Sequence, residues 1–262
     1  MKKKSTINIH AKKSLGQNFL VNQGVLDKII AAGEVTGKDT VIEIGPGTGN
    51  LTKKLVATGA HIVAIEKDHR LIEQLRRTFP DARIVEADIL EVDAQLLNVA
   101  PKKYKVIANI PYYITSHLIR LLCEEWPIPT MAILMVQKEV AQRMMATSPD
   151  MNLLALSTQY YMTPSIIMYV SPGSFSPAPD VDSALIKLTP RAYDSKDTLA
   201  FFKTIKAAFA QKRKKTVSNL STGLNIPKEK ILNACNDLGL LPTVRSEEIS
   251  FDQWLKLSRM LY

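Results

Sequence analysis

Five consecutive residues, Asn109-Ile110-Pro111-Tyr112-Tyr113, combine an amide, a proline-stiffened turn and two aromatic rings. Residues of these types suit the activation of an exocyclic amine on a nucleobase. Such an amine is a poor nucleophile because its lone pair is delocalised into the ring. The amide oxygen of Asn109 and the carbonyl of Ile110 can accept its two N–H groups and turn the lone pair toward an electrophilic methyl. Pro111 biases Ile110 away from helix and stiffens the turn, and Tyr112 offers a stacking face. The scheme uses no ionised base, so positioning and electrostatics carry the rate. Taken by themselves, the same residues also suit an ordinary strand-to-helix turn, with Asn109 capping and Pro111 starting the helix.

A second constellation can hold the methyl source. The run Val41-Ile42-Glu43-Ile44 reads as a buried strand and is followed by Gly45-Pro46-Gly47-Thr48-Gly49. Glycines at alternate positions let the backbone approach a ligand closely, and the first N–H groups of the next helix can face ligand oxygens. The G-x-G-x-G spacing departs from the G-x-G-x-x-G of dinucleotide folds. The run His61–Ile65 ends at Glu66, which lies about twenty residues beyond Gly45, as an acid binding a ribose diol would. Arg83–Ala87 ends at Asp88, whose carboxylate can accept from an adenine amino group, and clustered acids suit a positively charged ligand. Adenine, ribose and a sulfonium together point to S-adenosylmethionine. A nicotinamide dinucleotide is the competing ligand on Rossmann-type geometry.

Three more segments carry candidate contacts. In Lys13-Ser14-Leu15-Gly16-Gln17-Asn18-Phe19-Leu20, two amides precede two apolar anchors, an order that suits packing over a site in need of hydrogen-bond partners. Phe175 sits among Pro172, Pro177 and Pro179, which restrict its loop. It can stack on an extruded base or simply anchor the loop in the core. Lys212-Arg213-Lys214-Lys215 is a run of four cations, either a solvated surface or a phosphate clamp with salt-sensitive binding.

These residues need a scaffold, and the periodicity predicts one. The runs 40–44, 61–65, 83–87, 104–109 and 130–136 read as strands, with amphipathic stretches at 50–58, 69–79, 93–99, 114–125 and 138–146. A helix over Val25 to Ala32 precedes them. This alternation predicts an α/β fold, a doubly wound, mostly parallel Rossmann-like sheet, with Gly45, Glu66, Asp88 and Asn109 all at strand ends. Further strands are expected at 153–162, 166–170 and 183–188. A composition change at Pro190-Arg191 predicts a first domain over 1–190 with a basic N-terminal arm, and a small C-terminal α-helical domain over 191–262.

The whole chain sets outer bounds. With 262 residues, 46% hydrophobic and 23% charged, it has the composition of a soluble globular protein with a sizeable core. A net charge of +9 favours a polyanionic partner such as nucleic acid. Cys123 and Cys235 lack ligand-like spacing, so neither a disulfide framework nor a zinc site is expected. The basic start leads into no apolar run, and no segment is apolar for long enough to span a bilayer. A soluble, cytoplasmic monomer without a metal or a membrane partner is the expectation.

Together these motifs resemble the ribosomal RNA adenine dimethyltransferase family, from Lys13 to about Leu220. The resemblance rests on Ser14–Leu20, Glu43–Gly49, Asn109–Tyr113, Phe175-Ser176-Pro177-Ala178-Pro179-Asp180-Val181-Asp182-Ser183 and Gln211–Thr216. It is strongest to the branch that dimethylates two adjacent adenosines in the 3′-terminal hairpin loop of 16S rRNA in the immature small subunit. The Gly16-Gln17 pair, Val181-Asp182-Ser183-Ala184 and the separate C-terminal region favour that branch over the relatives that modify large-subunit rRNA and confer macrolide resistance. The resemblance implies that Gln17, Asn18, Leu20, Gly45, Gly47, Glu66, Lys67, Asp88, Ile89 and Asn109 line the site for S-adenosylmethionine, released as S-adenosylhomocysteine. It implies that Asn109, Tyr112 and Phe175 hold the target adenine, that Ile110 and Pro111 form the catalytic turn, and that Lys212, Arg213, Lys214 and Lys215 grip RNA. Two positions depart from the family pattern. Ile110 replaces a commoner leucine, which leaves its backbone role intact, and Lys-Arg-Lys-Lys replaces an arginine pair before lysine, which forgoes bidentate forks. A role chiefly in subunit assembly, with methylation secondary, is the alternative of a different class.

Overall fold

The structure, a computed structural model, describes residues 11–12, 15–111 and 114–262. Nine strands are described: β1 (Phe19–Leu20), β2 (Thr40–Ile44), β3 (His61–Glu66), β4 (Arg83–Glu86), β5 (Lys105–Asn109), β6 (Met131–Gln137), β7 (Met162–Val170), β8 (Phe175–Ser176) and β9 (Ser183–Pro190). The helices are α1 (Gln23–Ala32), α2 (Asn50–Val56), α3 (His69–Thr78), α4 (Ala94–Leu97), α5 (Thr115–Arg120), α6 (Lys138–Met144), α7 (Leu153–Tyr161), α8 (Ser195–Ala208), α9 (Thr216–Leu224), α10 (Lys228–Asp237) and α11 (Phe251–Leu261). The five strands expected between residues 40 and 136 are all present, as are the expected strands at 166–170 and 183–188.

Strands β4-β3-β2-β5-β6-β9-β7 form one seven-stranded sheet. The pairs β2–β3, β3–β4, β2–β5 and β5–β6 are parallel, and β9 runs antiparallel to β6, from Ala132 opposite Leu188 to Gln137 opposite Ser183. The expected mostly parallel α/β sheet is therefore what forms. Its central strands are nearly continuous apolar runs because helices cover them: Val41, Ile42, Val106, Ile107, Ile133 and Leu134 are all fully buried. Each large aliphatic side chain so buried stabilises the fold by roughly 1.5–3 kcal/mol.

Local signals fix the helices. Asn22 caps α1 by accepting from the Val25 N–H, and Val25, Leu26 and Ile29 turn one face into the core. Asp68 caps α3, which buries Leu71, Ile72 and Leu75 and carries Arg76 and Arg77 in its last turn, where cations favour the helix dipole. The order of β2 next to β5, with the chain stepping outward on either side, creates a topological switch point. Ligands in such sheets sit beyond the strand carboxyl ends at that point.

One expected strand is a helix. Leu153–Tyr161 forms α7, capped by the Asn152 side chain on the Ala155 N–H. Its first four residues, Leu-Leu-Ala-Leu, favour helix, and a short apolar run does not distinguish a buried strand from a buried helix.

The chain separates into two compact units, one of residues 1–141 and 164–190, the other of 142–163 and 191–262. The division after Pro190 falls where composition changes, but 142–163 joins the second unit, which the sequence expectation had placed in the first. The cause is long-range aromatic packing: the Tyr160 ring stacks on Phe201 at 4.6 Å between centroids and meets Tyr193 at a tilt at 5.5 Å, while Tyr161 stacks on Phe202. The second unit is otherwise helical, around the buried Phe201, Ile205, Leu220, Ile231 and Trp254. A capping box starts α11, in which Ser250 Oγ accepts from the Gln253 N–H and Gln253 Oε1 from the Ser250 N–H.

Candidate active site

The carboxyl ends of β2, β3, β4 and β5 converge on one cleft of about 1020 Å³, open solvent included. Gly45, Gly47 and Gly49 all adopt left-handed backbone, with φ of 68°, 56° and 81°. Two of them also allow close approach. A Cβ on Gly47 would lie 2.8 Å from the Phe19 ring, and one on Gly49 would lie 2.5 Å from the Phe79 ring. The loop is pinned to β3 by the Gly45 N–H, which donates to the Ile65 carbonyl.

Glu66 ends β3 and is held from both sides. Its Oε2 accepts from the Gly47 N–H at 3.0 Å and its Oε1 from the Asp68 N–H at 2.8 Å. Burial raises its pKa, against these hydrogen bonds. Backbone donors alone leave the carboxylate with further acceptor capacity for a hydroxyl pair. Asp88, past the end of β4, caps a short 3₁₀ turn through the Leu90 N–H at 3.1 Å and accepts from Lys67 Nζ at 2.5 Å. Partial burial works against its ionisation, but Lys67 and the Leu90 N–H outweigh that and hold its pKa below the usual value.

Asn109, the last residue of β5, donates its Nδ2 to the Asn18 carbonyl at 3.1 Å. With the nitrogen so engaged, Oδ1 is the acceptor end of the amide. The segment carrying Asn18 is itself tied down. β1 pairs antiparallel with β8, Phe19 opposite Ser176 and Leu20 opposite Phe175. Asn50 Nδ2 donates to the Leu20 carbonyl at 2.9 Å. Gln17 Nε2 donates to Asp68 Oδ2 at 3.0 Å, while its Oε1 accepts from the Lys12 N–H. Asp68 also pairs with Arg70, whose guanidinium, followed by the Gln17 amide, holds the carboxyl well below the usual range despite burial.

Of the residues nominated from the sequence, Gln17, Asn18, Leu20, Gly45, Gly47, Glu66, Lys67, Asp88, Ile89, Asn109, Ile110, Pro111 and Phe175 line this cleft. Gln17 is spoken for by Asp68 and Lys12, so it positions the segment above the cleft. Phe175 is 5% exposed and belongs to the core cluster with Leu20 and Val170 as well as to the cleft lining. Tyr112 lies outside the described residues. Lys212, Arg213, Lys214 and Lys215 are exposed in the second unit, where the first three border a shallow hollow.

Sequence reasoning gave no role to Glu43, Asn50 or Asp68. Glu43 is 1% exposed, lines the cleft, and among the described residues has no hydrogen-bond partner for either oxygen. Burial pushes its pKa up to about 8; the Thr52 hydroxyl and N–H lie near enough to oppose this without reaching hydrogen-bonding geometry, and the charge of Glu66 adds to it. The signal was visible, because a glutamate interrupts an otherwise apolar buried strand. Asn50 and Asp68 gave no such signal, since their contacts with the segment 15–20 are made across at least thirty positions of sequence.

A family profile described as ribosomal RNA adenine dimethylase matches residues 8–262. A ribosomal RNA small subunit methyltransferase A from Dehalococcoides mccartyi (strain CBDB1) is 40% identical over 255 residues, covering 95% of this chain and 88% of the relative. The crystal structure of a dimethyladenosine transferase from Plasmodium falciparum superposes with a TM-score of 0.74 at 30% identity, over 91% of this chain and 95% of that one. A 23S rRNA methyltransferase, ErmE, gives the same TM-score at 24% identity over 93% and 99% of the two chains, which bears on the fold alone.

Proposed function

We propose, from the premise that this chain belongs to the ribosomal RNA adenine dimethylase family, that it transfers methyl groups from S-adenosylmethionine to N6 of two adjacent adenosines in the 3′-terminal hairpin loop of small-subunit rRNA. The observation that carries the reading is the Asn109 amide at the end of β5, its nitrogen held by the Asn18 carbonyl and its oxygen left to accept from an incoming amine.

The cleft suits the methyl donor. Glu66 keeps acceptor capacity for a ribose diol and Asp88 for an adenine amine, and the carboxyl of Glu43, without a partner among the described residues, sits where a positive charge would be favoured. When bound, S-adenosylmethionine supplies an electrophilic methyl on a cationic sulfur. Asn109 Oδ1 and the Ile110 carbonyl accept the two amine hydrogens and localise the lone pair. Pro111 holds Ile110 extended. The methylated amine is acidic enough to pass its proton to solvent, which makes a dedicated base unnecessary. Phe175 and Tyr112 bound the base, and Lys212 to Lys215 contact RNA phosphates. Action as a monomer in the cytoplasm, on the immature subunit, completes the reading. Among the described residues no helix is long and apolar enough to cross a membrane.

The test is transfer of labelled methyl to undermethylated small subunits and, in parallel, to protein-free large-subunit rRNA, with the product nucleoside identified by mass. Dimethyladenosine in the small-subunit sample alone is the expected result. Label only in large-subunit rRNA would overturn the substrate assignment. No label in either, with subunit binding preserved, would favour a role in assembly.

A further inference from the structure

The basic loop, residues 209–215, joins α8 to α9 and rests on buried amide chemistry. Asn219, in the second turn of α9, is 5% exposed. Its Nδ2 donates to the Ala208 carbonyl at 2.6 Å, at the end of α8, and to the Gln211 carbonyl at 3.0 Å, inside the loop. Ser246 Oγ donates to the same Ala208 carbonyl at 2.8 Å and lies 3.3 Å from the Thr216 hydroxyl. The Lys214 N–H closes a turn on the Gln211 carbonyl, and the Thr216 N–H donates to Val244. Above this knot Lys212, Arg213, Lys214 and Lys215 are exposed, and among the described residues no carboxylate pairs with them.

We propose that Asn219 is the positioning residue that presets this loop, so that its four cations meet RNA phosphates without first having to be ordered; the inference rests on the assignment of the loop to RNA. An asparagine fits because one –NH₂ supplies two donors to two carbonyls. An aspartate would set a carboxylate against both carbonyl oxygens. A glutamine is one methylene too long for a buried site of this depth.

The consequence separates from that of the charges themselves. Neutralised phosphates set the slope of log affinity against log salt, whereas ordering a flexible loop costs affinity irrespective of salt. Asn219→Ala keeps every cation. It should displace the binding line by about tenfold toward weaker affinity and leave it parallel to that of the parent protein.

The experiment measures binding of the full chain to undermethylated small subunits across a salt series, for the parent protein, Asn219→Ala, Asn219→Ser and a variant with Lys212, Arg213, Lys214 and Lys215 all changed to alanine. Hydrogen exchange of residues 209–215 is read alongside, against α8 and α11 as internal controls. The expected result is a parallel displacement with faster exchange confined to the loop for Asn219→Ala, and a flatter slope for the four-cation variant. Unchanged affinity of Asn219→Ala at every salt concentration, or a flattened slope, overturns the proposal. If the alanine variant loses its helical unit, the serine variant, which keeps a short donor, decides by the same two criteria. An unchanged slope in the four-cation variant instead overturns the assignment of the loop to RNA.

Discussion

Replacing Glu43 by glutamine removes one buried ionisable group without changing its shape. In the folded chain this carboxyl is pushed from 4.5 to about 8, chiefly by burial, whereas in the unfolded chain it titrates in water. Below both values the proton is bound in each state and the group contributes no pH dependence. Between them the folded state holds a proton that the unfolded state has released, so stability falls as pH rises, and above the folded value it falls no further. The displacement amounts to about 5 kcal/mol across the whole window, with a limiting slope of about 1.4 kcal/mol per pH unit. Urea unfolding of the parent protein and Glu43→Gln at a series of pH values gives the comparison. Subtracting the two curves cancels the other titrating groups, apart from the coupling to Glu66. The glutamine variant should gain on the parent steadily between pH 5 and 8. Saturating S-adenosylmethionine, whose positive charge favours the ionised form, should shrink that gain. A difference curve that is flat across this window would show that Glu43 is ionised or hydrated in the folded protein, and would refute the reasoning.

Other perturbations address the remaining parts of the cleft. Asn109→Ala should lower the rate of methyl transfer by at least about a hundredfold, the scale for loss of one preorganised polar group, with an unchanged unfolding curve; equal rates would remove its amine-orienting role. Glu66→Ala takes away the acceptor for the Gly47 and Asp68 N–H groups and should weaken S-adenosylmethionine binding by about tenfold or more in calorimetry, an effect that a ribose bound elsewhere would not show. Gly49→Ala places a Cβ 2.5 Å from the Phe79 ring at a φ of 81°, and urea unfolding should register a loss of about 2–4 kcal/mol from overpacking and left-handed strain together. Stability within error of the parent would mean that the ring can move aside.

The central sheet was legible because its strands are buried on both faces. Near-continuous apolar runs such as Val106-Ile107-Ala108 and Ala132–Val136 announce such strands directly, and regular alternation with amphipathic stretches forces their ends to one edge. Glu66, Asp88 and Asn109 could therefore be assigned to one cleft before any geometry was known. The same logic failed at Leu153–Tyr161, where apolar content alone is silent about period; the Asn152 cap that decides for helix lies just outside the run. It failed again for 142–163, because membership of the second unit depends on where Tyr160 and Tyr161 find aromatic partners more than thirty positions away, as in the Tyr160–Phe201 stack.

What holds the segment 15–20 over the cleft was the least readable part, for the same reason. A two-residue strand has no periodicity, and the partners that hold the segment around it, Ser176, Asn50 and Asp68, come from three separate places in the chain. Yet the sequence does encode the fit in a pairwise way. The Phe19 ring lies so close to the Gly47 Cα that any side chain there would collide with it. Gly47 is thus constrained twice, by its left-handed φ and by the ring, while Phe19 is positioned by the absence of a side chain opposite. Two motifs separated by almost thirty residues therefore specify each other. Once Phe19 is seated on the glycine loop, the neighbouring Asn18 carbonyl is brought to the Asn109 amide. Packing at one end of this short segment fixes which end of Asn109 is free to accept a hydrogen bond at the other.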